Sequence, residues 1–122
     1  MPKSQKPIVC INGSRSIKDI NLDGWLNPQE IGCICAGGAN GVDYLAEMWA
    51  KRHKIEFVAF PAQWDIYGKK AGFMRNEDMI NFSDKLISFW DGVSHGTKYT
   101  IDYALSLGRQ VEIHLIKDLC NE

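Results

Sequence analysis

Three short turns in this sequence combine glycine with residues that can hold an anion. Gly13 is followed by Ser14 and Arg15, residues 37–43 read Gly-Gly-Ala-Asn-Gly-Val-Asp, and residues 91–97 read Asp-Gly-Val-Ser-His-Gly-Thr. Glycine lets backbone N–H groups approach a ligand closely, and hydroxyls or arginine can complete the contacts to a phosphate. Each turn alone is also what a tight strand–helix connection requires, so one such turn is weak evidence for a site.

Each turn follows a short apolar run that predicts a buried strand. These runs are residues 8–11, 31–35 and 86–90, and further strands are predicted at 55–60 and 111–116. Helices are predicted after residue 41, over residues 71–82 with Met79 and Ile80 toward the core, and after residue 96. Residues 16–30 predict a short or broken helix and residues 63–70 a long loop. The sequence therefore predicts an α/β fold: one domain over residues 1–122, with a mostly parallel five-stranded sheet, helices on both faces, and tails at 1–6 and 117–122.

The last predicted strand alternates apolar residues with Glu112 and His114. This pattern predicts an edge strand with one wet face, on which His114 is a surface residue.

In a parallel sheet, ligands bind beyond the carboxyl ends of the strands. All three glycine turns leave such ends, so they should lie along one edge of the sheet and together favour a phosphate site. Trp64 could stack on a base, Lys69 and Lys70 could attract phosphate, and Arg75 could supply charge. The pattern is neither a Walker A loop nor the dinucleotide fingerprint G-x-G-x-x-G.

Composition limits the other functional classes. A formal net charge of −1 argues against strong nucleic-acid binding, and the 45% apolar and 24% charged shares are typical of a globular protein. No signal peptide or membrane span is predicted, so we expect a cytoplasmic protein. The four cysteines lack a zinc-site spacing and are expected to be reduced core thiols, and neither a metal nor a cofactor is predicted.

The sequence resembles the SLOG superfamily, and within it the YspA-like (YAcAr) branch. The resemblance runs from about residue 8 to 116 in family order and is carried by Gly13-Ser14-Arg15 with Asp19, Gly37-Gly38-Ala39-x-Gly41-Val42-Asp43, Leu45-Ala46, Trp49-Ala50, Pro61-Ala62-x-Trp64, Tyr67-Gly68-Lys69, Ala71-Gly72, Arg75-Asn76-x-x-Met79 and Phe89-Trp90-Asp91-Gly92-x-Ser94-x-Gly96-Thr97. It implies a Rossmann-like domain that binds a nucleotide or nucleotide-derived ligand, of the ADP-ribose or nucleoside phosphate type, as a sensor or sequestering domain. The superfamily also includes DNA-binding Smf/DprA proteins and LOG-type phosphoribohydrolases.

Comparison with the LOG-type enzymes leaves catalysis open. Their Arg-Lys-x-x-Met motif resembles Arg75-Asn76-x-x-Met79, and their glycine-rich motif resembles residues 91–97, but Thr100 stands where they carry the catalytic Glu. Only Asp43, Asp91 or Asp102 could replace that carboxylate, and the sequence assigns none of them as catalytic. An N-glycosidase acting on a nucleoside 5′-phosphate is therefore the first alternative to a binding domain.

The hypothesis places the ligand among the three turns and the helix after residue 70. Its expected ligand-binding residues are Gly13, Ser14, Arg15, Gly37, Gly38, Ala39, Gly41, Asp43, Trp64, Arg75, Asn76, Asp91, Gly92, Ser94, Gly96 and Thr97. Asp43 would take a ribose hydroxyl and Trp64 would stack on or cover the base. The expected partner is a nucleotide-type small molecule; homo-oligomer formation is left open, and Smf/DprA-like binding of single-stranded DNA is the weakest alternative because of the net charge.

Overall fold

The computed structural model describes residues 6–38 and 41–116. Five strands form one parallel sheet in the order β3-β2-β1-β4-β5. The strands are β1 (Ile8–Gly13), β2 (Cys33–Ala36), β3 (Glu56–Ala59), β4 (Lys85–Trp90) and β5 (Gln110–Leu115), and the helices are α1 (Val42–Arg52), α2 (Trp64–Tyr67), α3 (Ala71–Phe82) and α4 (His95–Ser106). The predicted Rossmann-like α/β fold is confirmed.

Helices cover both faces of the sheet because side chains of successive strand residues point to opposite sides. Val9 and Ile11 of β1 pack in one core with Trp49 of α1. Cys10 packs in the other core with residues of α3 and α4, among them Met79. The central strands are thus buried on both faces, which explains their continuous apolar runs.

The order of the strands reverses between β1 and β4. The chain builds β1, β2 and β3 outward in one direction, then crosses back to place β4 and β5 on the other side of β1. The turns after β1 and β4 therefore diverge from a common crevice at the carboxyl edge of the sheet, which is where ligands bind in open α/β sheets.

Two connections differ from the sequence-based expectation. Residues 63–70, predicted as a loop, contain α2 and a 3-10 turn at Gly68–Lys70, and residues 16–30 contain two 3-10 turns, Leu22–Gly24 and Pro28–Glu30. Asn21 and Asn27 each accept a hydrogen bond from the backbone two residues later, which caps these short turns. Turns of this length are too short to show helical periodicity in a sequence.

The expected location of His114 was wrong, although β5 is an edge strand as predicted. The His114 side chain is only 20% exposed, its ring lies 4.3 Å from that of Trp25, and its Nε2 lies 2.6 Å from Glu112 Oε2. Ile113 and Leu115 are instead 45% and 53% exposed. The more exposed face of β5 thus carries Ile113 and Leu115, because Trp25 packs on His114 on the other face.

None of the helices in the described part of the chain is long and apolar enough to span a membrane.

Candidate functional site

A cavity of about 420 Å³ lies at the crevice between the carboxyl ends of β1 and β4. Nine of the expected ligand-binding residues line it, namely Gly13, Arg15, Asp43, Trp64, Arg75, Asn76, Ser94, Gly96 and Thr97. Six additional lining residues are Asn12, Lys69, Gly72, Phe73, Met79 and His95. The cavity therefore brings together residues from the turns after β1 and β4 with residues from α1, α2 and α3.

Ser14 joins the two turns instead of lining the cavity. It is buried, and its N–H donates to the carbonyl of Phe89 at 3.0 Å. Its Oγ accepts from the N–H of Asp91 at 3.0 Å and lies 3.4 Å from Thr97 Oγ1. Ser14 thus extends the pairing of β1 and β4 beyond their last residues and holds the mouth of the crevice in shape.

Asp91 also holds the turn after β4 and does not line the cavity. Its carboxylate accepts hydrogen bonds from the N–H groups of Val93 and Ser94 at 2.9 and 2.8 Å, and from the hydroxyls of Ser16 and Ser94, both at 2.8 Å. Desolvation alone would raise the pKa of Asp91, but these hydrogen bonds outweigh it and hold the pKa below its usual range. Asp91 is thereby kept ionised and engaged in positioning the start of α4.

The first turn of α4 presents backbone N–H groups at the cavity. Ser94 is its N-cap residue, yet its hydroxyl donates to Asp91, and within the described chain no side chain caps this helix. Gly96 adds no side chain, and a Cβ built there would meet nothing within 4 Å. A helix start with exposed N–H groups carries partial positive charge and suits an anion.

Arg75 of α3 ties the ends of β2 and β3 together. Its Nη1 donates to the carbonyls of Gly37 at 2.9 Å and Phe60 at 3.3 Å, and its Nε donates to Asn76 Oδ1 at 2.7 Å. Desolvation lowers the pKa of this guanidinium, and the charge of Asp43 partly opposes that effect. Asn76 therefore serves to orient Arg75.

Gly37 is needed because Arg75 and Asp43 approach its backbone. A Cβ at Gly37 would lie 2.4 Å from Arg75 Nη1 and 3.0 Å from Asp43 Oδ2. These two side chains therefore sit together over the end of β2, and both also line the cavity.

The remaining glycines among the expected residues serve the backbone of the turns. Gly38, Gly41 and Gly92 have φ values of 84°, 79° and 89°, a conformation that other residues rarely adopt. None of the three lines the cavity. Ala39 lies outside the described residues.

An aromatic wall of the cavity is formed by Trp64 and Phe73. The indole of Trp64 is partly exposed and packs over the start of α3, where a Cβ on Gly72 would lie 3.1 Å from its Cη2. Phe73 is also partly exposed and packs edge-on against Tyr99, with 4.8 Å between ring centroids. Lys69 adds a positive charge to this wall, whereas Lys70 is outside the lining.

Of the three carboxylates considered for catalysis, only Asp43 lines the cavity. Asp102 forms an exposed ion pair with Lys98 at 2.7 Å on α4. Thr100, at the position of the LOG-type glutamate, is buried and donates to the carbonyl of Gly96 at 3.1 Å. Thr100 thus holds the first turn of α4 and presents no acid or base.

Asn12 is a cavity residue that the sequence-based list omitted. It is 8% exposed, and its Oδ1 makes no hydrogen bond within the described part of the chain. The available signal was a polar residue directly after the apolar run of β1, at the strand end where ligands bind.

Comparison with known proteins shows the family of this chain. The model of the YspA, cpYpsA-related SLOG family matches residues 7–67. Gene 61 protein of Mycobacterium phage D29 is 35% identical, in an alignment that covers 82% of this chain and 90% of that protein. No solved structure matches the chain. The chain thus belongs to the YspA, cpYpsA-related SLOG family.

Proposed function

We propose that this protein binds a nucleotide or nucleotide-derived ligand, of the nucleoside phosphate or ADP-ribose type, and acts as a sensor or sequestering domain. The observation that carries the proposal is one cavity lined both by a helix start with Arg15, which suits an anion, and by the aromatic wall. A nucleotide has the same division between its phosphate and its base. Membership of a SLOG family suggests nucleotide-related ligands in general.

The phosphate would lie against the first turn of α4. Gly96 leaves room for it there, and the exposed Arg15 also lines the cavity and would add a guanidinium contact. Backbone N–H groups and a guanidinium are a common pair for binding phosphate.

The base would lie against the aromatic wall, where Trp64 offers a partly exposed ring face. Stacking of a base on an aromatic ring contributes about 1–3 kcal/mol. Asp43, which lines the cavity from α1, would contact the ribose.

Retention and release of nucleotides test this proposal. The purified protein would be incubated with nucleoside mono- and diphosphates, cyclic nucleotides, NAD and ADP-ribose, and bound ligand and freed base would be measured by liquid chromatography and mass spectrometry. We expect one class of nucleotide to be retained unchanged, with weaker retention by Arg15→Ala. Lys18→Ala is the matched control, because it removes an exposed charge nearby but outside the lining. Failure to retain any nucleotide would refute the proposal.

The second candidate is an N-glycosidase acting on a nucleoside 5′-phosphate. It is favoured by Asp43, the only acidic residue in the described lining, which sits beside Arg75. A carboxylate there could stabilise an oxocarbenium-like centre or activate water. In that case free base would appear, and Asp43→Asn would stop its release while ligand binding persists.

A further inference from the structure

We infer that Asn12 accepts a hydrogen bond from a ribose hydroxyl, so that the cavity selects ribonucleotides over deoxyribonucleotides. The inference rests on the proposed function, since it assigns one group of the proposed ligand to one residue of the same cavity.

The inference starts from an unsatisfied acceptor. Asn12 is the penultimate residue of β1, is more than nine-tenths buried and lines the cavity. Its Oδ1 has no hydrogen-bond partner in the described part of the protein. Folded proteins leave few buried polar atoms in this state. The Oδ1 atom itself exposes less than 1 Å², so a ligand group reaches it when the amide turns about its χ2 torsion toward the cavity that the residue lines.

Ser88 offers an internal comparison. It is the partner of Asn12 in the parallel pairing of β1 and β4, is fully buried, and its hydroxyl also lacks a hydrogen-bond partner among the described residues. Unlike Asn12, it does not line the cavity. The two residues therefore share burial and unmet hydrogen bonding but differ in access to a ligand.

The partner of an amide oxygen must be a hydrogen-bond donor. Phosphate oxygens are acceptors and cannot pair with Asn12 Oδ1, whereas Arg15 and the first turn of α4 attract them at the exposed mouth of the cavity. A ligand with its phosphate there and its base on Trp64 must span the end of β1 with its sugar. The hydroxyls of that sugar are the donors nearest to Asn12.

A hydrogen-bonding site of this kind discriminates against an analogue that lacks the hydroxyl, because its buried polar atom is then left unpaired. We expect the wild-type protein to bind a ribonucleotide at least about tenfold more tightly than the matching deoxyribonucleotide. In Asn12→Leu, which has similar size but no acceptor, this preference should fall to about one.

The experiment measures affinities for AMP and ADP and for their 2′-deoxy and 3′-deoxy forms by calorimetry, in the wild type, Asn12→Leu and Ser88→Ala. Asn12→Ala is a second variant that removes the acceptor without adding apolar bulk. Ser88→Ala should keep the full ribose preference. Both Asn12→Leu and Ser88→Ala should melt at or above the wild-type temperature, because each removes a buried polar atom without a partner.

Loss of the preference in either Asn12 variant and its persistence in Ser88→Ala would support the inference. Equal binding of ribo and deoxy forms by the wild type would overturn it and leave the proposed function standing, as would an unchanged preference in the Asn12 variants. Purine riboside 5′-phosphate, which lacks only the amine of AMP, provides one more test. If Asn12→Leu loses the preference for AMP over this analogue and keeps the ribose preference, Asn12 contacts the base and the ribose assignment is wrong. Absence of all nucleotide binding by the wild type would overturn both proposals.

Discussion

Replacing Gly37 with alanine should destabilise the wild-type protein but stabilise a variant that lacks the Arg75 side chain. In the wild-type protein, the new Cβ would lie 2.4 Å from Arg75 Nη1, so the guanidinium must leave the carbonyls of Gly37 and Phe60. Gly37 itself does not use a positive φ, so alanine meets no backbone strain there. The cost therefore comes from the displaced arginine.

The magnitude follows from the contacts that are lost. A hydrogen bond from a charged donor contributes about 1.5–3 kcal/mol, and we take about 2 kcal/mol for the 2.9 Å bond to Gly37. The 3.3 Å bond to Phe60 adds about 0.5 kcal/mol. Against this, alanine stabilises by about 0.4–1 kcal/mol because it restricts the unfolded chain. Gly37→Ala should thus lower the free energy of unfolding by about 1.5–2 kcal/mol.

In an Arg75→Ala background, the displaced group is absent and only the restriction of the unfolded chain remains. Gly37→Ala should then stabilise by about 0.4–1 kcal/mol. Urea denaturation of the wild type, both single variants and the double variant measures the coupling, expected at about 2–3 kcal/mol. Additive effects, within about 0.5 kcal/mol, would refute the argument that Gly37 is required by Arg75.

Three other substitutions test separate parts of the site. Asp91→Asn should destabilise by about 1 kcal/mol at pH 7, because a neutral amide replaces a charged acceptor of four hydrogen bonds. The folded-state pKa of Asp91 is depressed, so its contribution is complete above the unfolded pKa of about 4 and is lost as the pH falls further. Urea denaturation should therefore show the wild type and the variant converging below about pH 4. Gly13→Ala should cost about 1–3 kcal/mol, since its Cβ would lie 2.5 Å from Val42 Cγ2, whereas Gly24→Ala, with nothing within 4 Å, should change the unfolding midpoint little. Trp64→Ala should weaken nucleotide binding by about tenfold, whereas Trp64→Phe should retain most of the affinity. Equal affinities of the wild type and Trp64→Ala, measured by calorimetry, would exclude stacking on Trp64.

The order of the five strands and of the three longer helices could be predicted because the strands are short apolar runs and these helices repeat apolar residues every three to four positions. The helix from residue 71 to 82 was predicted with the bounds that α3 has, and Met79 and Ile80 are buried as its apolar face required. The edge position of β5 also followed from its alternating pattern.

Two features of the site could not be read from local patterns. Ser14 and Asp91 are chemically suited to contact a ligand, but whether a hydroxyl or carboxylate faces a cavity or a neighbouring turn depends on contacts 77 residues apart. The sequence-based list omitted Asn12 because its neighbours in sequence indicate only the end of a strand. Its burial beside Ser88 and its place in the cavity lining are known only from the structure.

The position of β1 in the sheet has a consequence for the order in which the chain folds. β1 can pair with β2 once about the first third of the chain is available, but its other edge must wait for β4, which pairs Val9 with Lys85 across 76 residues. Such distant pairing closes a long loop and is slow to form. During synthesis, an apolar strand edge therefore stays open until β4 emerges. The cavity lies on that same seam, so it forms only when β4 docks against β1.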